Sequence, residues 1–256
     1  MRTKHNAVNR QWCVGARPVG KPKPSDFLYK EVPIQLPGAG EVLLETLYLG
    51  IAPVMRMYMQ GASEAGEAPL SIGDVIHGRG VARVIESNHP DYDVGDVVQG
   101  QLGWQTYKAS YMSAKERFFK VRHHDVSYAL SVRMLSMTGL TAWSGFNFAE
   151  PKAGDVVVVS GAAGGVGHMV VQIARIMGCR VIGIAGGPKK CGIVADLGAD
   201  AVIDYKSEDV AARIAELCPE GIDVYFDNVG GEILEACLEN LAYDARILLC
   251  GSISEY

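Results

Sequence analysis

Four consecutive valines, Val156 to Val159, lead through Ser160 into Gly161-Ala162-Ala163-Gly164-Gly165-Val166-Gly167, and an apolar helical pattern follows. No other feature constrains the chain so strongly. A continuous apolar run of strand length suits a strand covered on both faces by helices. Small residues directly after it let the backbone turn tightly, and the free N–H groups of a helix start face an approaching anion. The combination implies a pyrophosphate cradle, with Gly167 letting the helix pack close to the strand. The loop departs from the standard fingerprint by carrying Ala162 where glycine is usual. The competing interpretation is a tight turn in some other α/β fold.

The surrounding rhythm supports the first interpretation. From Val126 a helical stretch runs through Phe148, and strands then alternate with helices. Strands are expected at 155–160, 180–185, 201–204, 221–226 and 246–250, with helices at 165–177, 189–197, 207–217 and 231–241. Such alternation implies right-handed crossovers and a doubly wound parallel sheet. Before it, short strands at 42–48, 80–86, 96–100 and 106–111 are separated by turns such as Pro37-Gly38-Ala39-Gly40, which favours a compact barrel or sandwich. Met55, Met57 and Met59 fall on a short helix or loop and read as core filler. The expected division is 1–125 and 126–256.

The end of the second α/β strand selects the cofactor. Sites for NAD place Asp or Glu there to accept from the ribose 2′-hydroxyl. Here the segment is Gly183-Ile184-Ala185-Gly186-Gly187-Pro188-Lys189-Lys190, with no acid before Asp196. A carboxylate would repel a 2′-phosphate, whereas small residues and two ammonium groups accommodate it, so NADPH is expected. The bland alternative is that both lysines decorate a helix start.

Composition narrows the class. A net charge of -5 and a pI near 5.7 argue against nucleic acid as the main partner, and no dense Lys/Arg run supplies a basic face. Six cysteines without C-x-x-C spacing, and no secretory signal, point to reduced thiols in a cytoplasmic protein. The longest aliphatic stretches are too short for a membrane span.

The loop at Ala162 to Gly167, with Leu140-Thr141-Ala142 upstream and Phe226-Asp227-Asn228-Val229-Gly230-Gly231 downstream, resembles the zinc-independent medium-chain dehydrogenase/reductases. The similarity is to the NADPH-dependent 2-alkenal reductase branch, with the leukotriene B4 dehydrogenase (prostaglandin reductase) type and curcumin reductase. Gly103-Trp104 and Cys250-Gly251-Ser252-Ile253-Ser254 extend it over nearly the whole chain. The resemblance implies a GroES-like β-rich catalytic domain followed by a Rossmann domain, an α/β chain overall. By it Gly164, Gly165, Val166 and Gly167 hold the pyrophosphate. Lys190 pairs with the 2′-phosphate and Tyr205 flanks it. Asn228 lines the cofactor towards the nicotinamide, with Cys250, Gly251, Ser252, Ile253, Ser254 and Tyr256.

Two departures stand out. The family's Asp-Pro-Tyr-Met-Arg run reads Ala52-Pro53-Val54-Met55-Arg56, which leaves substrate preference open although Arg56 remains. The chain also stops just after the fifth Rossmann strand. The resemblance implies a sixth strand, used in dimer pairing, and a segment returning to the catalytic domain. The expectation is a truncated or incompletely represented chain, homodimeric in its full-length form and of open oligomeric state in this one.

The implied reaction is hydride transfer from NADPH to the β-carbon of an α,β-unsaturated aldehyde or ketone, without metal. No catalytic residue is assigned. Arg56, Tyr58 and Trp104 are pocket candidates, against a packing role for the aromatics and an ion pair for the arginine. Zinc-dependent relatives need a Cys/His/carboxylate set that the spacing does not supply, and no metal is expected. His77 reads as a core or pocket-wall residue, and His123-His124 as a surface pair at the domain junction. A quinone reductase of the same superfamily and a non-catalytic NADPH-binding protein are the rivals; a zinc alcohol dehydrogenase is a distant third.

Overall fold

The computed structural model describes residues 8–61, 67–122 and 125–254. The chain forms two compact units, Met1–Val132 and Arg133–Tyr256.

In the second unit five strands form one parallel sheet: β8 (Val156–Val159), β9 (Arg180–Ala185), β10 (Ala201–Asp204), β11 (Ile222–Asp227) and β12 (Leu241–Leu249), in the order β10-β9-β8-β11-β12. Alternate residues of β8 serve opposite faces. Val157 and Val159 pack with α3 (Met137–Phe148), α4 (Gly167–Ile176) and α5 (Pro188–Asp196) through Phe146, Val170, Ala174 and Val194. Val158 packs with α6 (Val210–Leu217) and α7 (Gly231–Leu238) through Ile214 and Cys237. All three valines are fully buried, each stabilising by roughly 1.5–3 kcal/mol relative to exposure. The chain winds from β8 to β10 on one side, then crosses to β11 on the other. The carboxyl ends of β8 and β11 are therefore the switch point where such sheets take ligands.

The first unit is antiparallel. One sheet runs β6 (Tyr107–Ser110), β3 (Val42–Leu49), β4 (Arg79–Ser87), β5 (Val97–Gln101), β7 (Phe119–Lys120). β1 (Val8–Val14) and β2 (Phe27–Pro33) form a separate two-stranded sheet, and isolated bridges of Gln11 to Gln105 and Cys13 to Val75 tie it to the segments leading into β6 and β4. Asn9, 6% exposed, accepts from the Tyr107 N–H and donates to Gln105 Oε1. Helix α1 (Val54–Met59) buries Met55, Tyr58 and Met59 against Val14, Leu70 and Ile76, so two of the three methionines are core filler.

Three expectations need correction. The stretch from Val126 to Phe148 is two helices, α2 (Tyr128–Arg133) and α3, with Ser136 as N-cap of the second. Tyr128 and Val132 pack on Val81, Val97 and Val121, so most of α2 belongs with the first unit. Finally, β12 begins at Leu241 instead of Arg246, and α7 ends at Leu238. The register shifts after Ile222 pairs with Leu241, and Asp244 takes a φ of 59°, so polar residues inside the strand mark an irregularity that reads locally as a loop.

Candidate functional site at the sheet switch point

The turn after β8 is built by subtraction of side chains. Gly161 has a φ of +57°, and its carbonyl accepts the Gly164 N–H at 2.8 Å. A Cβ at Gly167 would lie 2.3 Å from that carbonyl oxygen and 2.9 Å from Ala162 Cα, so only glycine lets α4 seat on the turn. Ala162 itself is fully buried, and a Cβ at Gly183 would come within 3.1 Å of its methyl. That glycine on β9 makes room first for Val194 Cγ1, which would lie 2.4 Å from the added Cβ, and second for the Ala162 methyl. Gly164 and Gly165 are exposed. No side chain caps α4, and the N–H groups of Gly165, Val166 and Gly167 meet no acceptor among the described residues. That is the condition of an anion site.

At the end of β9 the ring of Tyr205 lies on Gly186, where an added Cβ would be 2.6 Å from Cζ and 2.7 Å from the hydroxyl. Gly187, with a φ of +86°, caps α5, and Lys189 and Lys190 are exposed on its first turn. The next strand contributes a carboxylate that the local segment lacks. Asp204 Oδ1 accepts the Gly187 N–H at 2.7 Å and the Lys206 N–H at 3.1 Å. The Gly187 N–H is the main reason its carboxyl lies below the ordinary carboxylate range. Asp204 therefore shapes the loop through the backbone.

The turn after β11 is built around a buried charge. Asp227 is 1% exposed, and its Oδ1 accepts from Ser160 Oγ and Tyr225 Oη at 2.7 Å each, and from the N–H groups of Val229 and Gly230. Ser160 in turn accepts the Asn228 N–H at 2.8 Å, while Asn228 Nδ2 donates to the Ser160 carbonyl at 2.7 Å. Burial pushes the Tyr225 phenol far up and the Cys237 thiol up to about 12. Residues 250–254 fold onto this turn: Cys250 and Gly251 donate to the Asp227 carbonyl, and Ser254 Oγ donates to the Val229 carbonyl at 2.6 Å. Gly230, at a φ of +74°, leaves room for Ser252, whose Cβ would be 3.2 Å from an added Cβ. Asn228, Cys250, Gly251, Ser252, Ile253 and Ser254 are thereby brought together; Tyr256 lies outside the described residues.

The first-unit candidates are engaged differently. Arg56 donates to the Gly20 carbonyl from Nε and Nη2 at 3.2 and 2.9 Å, with no carboxylate partner among the described residues. Tyr58 is a core residue standing edge-on to His77, ring centroids 5.4 Å apart. Trp104 stacks on Phe27, and its buried Nε1 has no hydrogen-bond partner among the described residues.

Residues 10–121 match the family described as N-terminal domain of oxidoreductase, and residues 165–256 match the zinc-binding dehydrogenase family. The chain is 42% identical to the NADPH-dependent curcumin reductase of Escherichia coli, over 97% of this chain and 71% of that protein. It is 38% identical to the 2-alkenal reductase (NADP(+)-dependent) of Nicotiana tabacum, over 97% and 74%. A crystal structure of CurA in complex with NADPH from Vibrio vulnificus superposes with a TM-score of 0.90 at 40% identity, over 96% of this chain and 73% of that one. The chain belongs to the medium-chain dehydrogenase/reductase family.

Among the described residues no group of three or more His, Cys, Asp or Glu side chains is placed to hold a metal ion. His77 Nε2 lies 2.8 Å from the Ala68 carbonyl oxygen, and the six cysteines are all unbridged, four of them buried. His123-His124 lie outside the described residues.

Sequence reasoning missed Ser160, Asp204, Tyr225 and Asp227 as parts of the site. For Asp227 a signal existed: a carboxylate closing the apolar strand Ile222-Asp223-Val224-Tyr225-Phe226 is seldom buried without several donors. For Asp204 there was none, because its partner lies on another loop.

Proposed function

We propose that this chain binds NADPH at the carboxyl ends of β8, β9 and β11 and reduces the carbon–carbon double bond of α,β-unsaturated aldehydes or ketones. The hydride goes to the β-carbon of a small-molecule substrate. The observation that carries the reading is the surroundings of Gly186: an uncapped α4 follows the neighbouring glycine turn, Tyr205 lies on Gly186 itself, and two exposed lysines open α5 in a segment without the carboxylate of an NAD site. The curcumin and 2-alkenal reductases, whose names give NADPH or NADP as cofactor, support both the nucleotide and the substrate class.

The residues present fit the dinucleotide, since side chains are missing wherever its phosphates need backbone approach. NADPH, when bound, supplies the hydride. The N–H groups of Gly165, Val166 and Gly167 receive the pyrophosphate. Lys190, with the Tyr205 hydroxyl, neutralises and hydrogen-bonds the 2′-phosphate. Asn228, aimed by Ser160, borders the nicotinamide end with residues 250–254. Charge developing on the substrate carbonyl oxygen requires a donor in a site poor in water.

The test follows NADPH absorbance with 2-alkenals and with benzoquinones as acceptors. Faster consumption with 2-alkenals, tighter binding of NADPH than NADH, and loss of that preference in Lys190→Ala are expected. Turnover of quinones alone would place the chain with the quinone reductases. Binding without turnover would make it a nucleotide-binding protein, and a preference for NADH would sink the reading.

A further inference from the structure

Arg133, at the end of α2, reaches the glycine turn through one intermediary. Its Nη2 is 3.2 Å from His168 Nε2, and His168 Nδ1 is 2.9 Å from the Gly164 carbonyl oxygen. The two outer partners leave no freedom in where the imidazole proton sits. A guanidinium only donates, so Nε2 must offer its lone pair; a carbonyl only accepts, so Nδ1 must carry the hydrogen. Both demand the same neutral tautomer.

The backbone N–H of His168 donates to the same Gly164 oxygen at 3.1 Å. Two donors from α4 thus occupy that carbonyl, so its negative end is committed to the helix and does not oppose an anion at the turn. Meanwhile Arg133 is exposed and forms no ion pair with a carboxylate among the described residues. An unneutralised cation is held one imidazole away from the uncapped start of α4. That is within a Debye length of about 10 Å at 0.1 M salt, so its field reaches the turn.

We infer that Arg133 and His168 form a cationic clamp for the bridging phosphates of the dinucleotide. His168 is the positioning residue and Arg133 supplies the charge. The inference rests on the reading of the turn as a pyrophosphate site, and it adds a residue pair that neither the glycine pattern nor the lysines of α5 contain. It also divides the labour. Lys190 discriminates between NADPH and NADH, whereas Arg133 strengthens both alike.

Equilibrium titration of the intact chain with three probes tests it: NADPH, NADH, and adenosine 2′-monophosphate, which keeps the 2′-phosphate but has no bridging phosphates. Arg133→Gln should raise the Kd for NADPH and NADH by the same factor, about three- to tenfold, with a smaller ratio at high salt. Its Kd for adenosine 2′-monophosphate should be unchanged. His168→Ala should act in the same direction. His168→Gln, whose amide can donate to Gly164 and accept from Arg133, should recover most of the loss. A role in folding alone would shift the thermal midpoint without this selectivity between probes.

If Arg133→Gln binds NADPH and NADH like the wild type, or weakens adenosine 2′-monophosphate equally, the clamp is wrong while the dinucleotide reading stands. If the unaltered chain binds none of the three probes, the dinucleotide reading fails and the clamp fails with it.

Discussion

The turns after β8 and β11 end neighbouring parallel strands and pack against each other, yet they are built on opposite plans. An added Cβ at Gly161 would touch Asn228 Cβ and Val229 Cγ2 at 3.4 Å, so the two are in van der Waals reach. The first turn is exposed at Gly164 and Gly165, held by backbone bonds and the His168 side chain, and open at its N–H groups. The second hangs on a carboxylate that is 1% exposed and accepts from two hydroxyls and two backbone N–H groups. Where a ligand's phosphate must approach the main chain, side chains are removed. Where a side chain such as Asn228 must be aimed, the turn is fixed from below by a buried charge with every donor turned towards it.

This contrast can be broken by substitution. Asp227→Ala should have the largest effect, a destabilisation on the order of 3–4 kcal/mol, because several buried donors lose their acceptor together. Urea unfolding would check it, and a cost below about 1 kcal/mol would mean the second turn is not hung on this carboxylate. Gly167→Ala comes next, at roughly 2–3 kcal/mol, since the new methyl meets backbone at 2.3 Å and nothing flexible can yield. Gly165→Ala sharpens the comparison from the other side. Its methyl would approach only Thr138 Cγ2, at 3.3 Å. Stability should stay within about 0.5 kcal/mol of the original while the Kd for NADPH rises about tenfold. Equal losses of stability in the two glycine variants would erase the distinction between a packing glycine and an approach glycine.

The smallest effect concerns Asp204. Its folded carboxyl lies below the ordinary range, chiefly because of the Gly187 N–H. A depressed folded value means the contribution is present above the unfolded value and is lost as pH falls through the folded one. Thermal midpoints from about pH 6 down to about pH 3 should show a shallower acid-side decline in Asp204→Asn than in the original chain. Identical slopes would show that the carboxylate does not hold this loop.

Much of the second unit was legible because its signals are local. Val156 to Val159, the glycines that follow, and the regular return of apolar runs all act over a few residues, so periodicity alone locates β8, β9, β10 and their helices. The hairpin of β1 and β2 escaped the same reasoning. Val8, Trp12, Leu28 and Tyr29 are exposed while Asn9 is buried, so the burial pattern contradicts the side-chain type. Its place depends on Gln105 and Tyr107, which lie far along the chain.

The residues themselves determined that a parallel doubly wound sheet would form, that a glycine turn would open at its central strand, and that no acid would stand in the segment after the second. These follow from covalent size, backbone freedom and short-range apolar spacing. Tertiary structure alone decided that Ser160 and Asp227, 67 residues apart, would share a hydrogen bond beneath Asn228, and that Arg133 and His168, 35 apart, would meet beside Gly164. It also decided that Gly183 would make room for the methyl of Ala162. Sheet order brings such pairs together, and the free energy of a buried charge or a close approach depends on neighbours in space that no local pattern encodes.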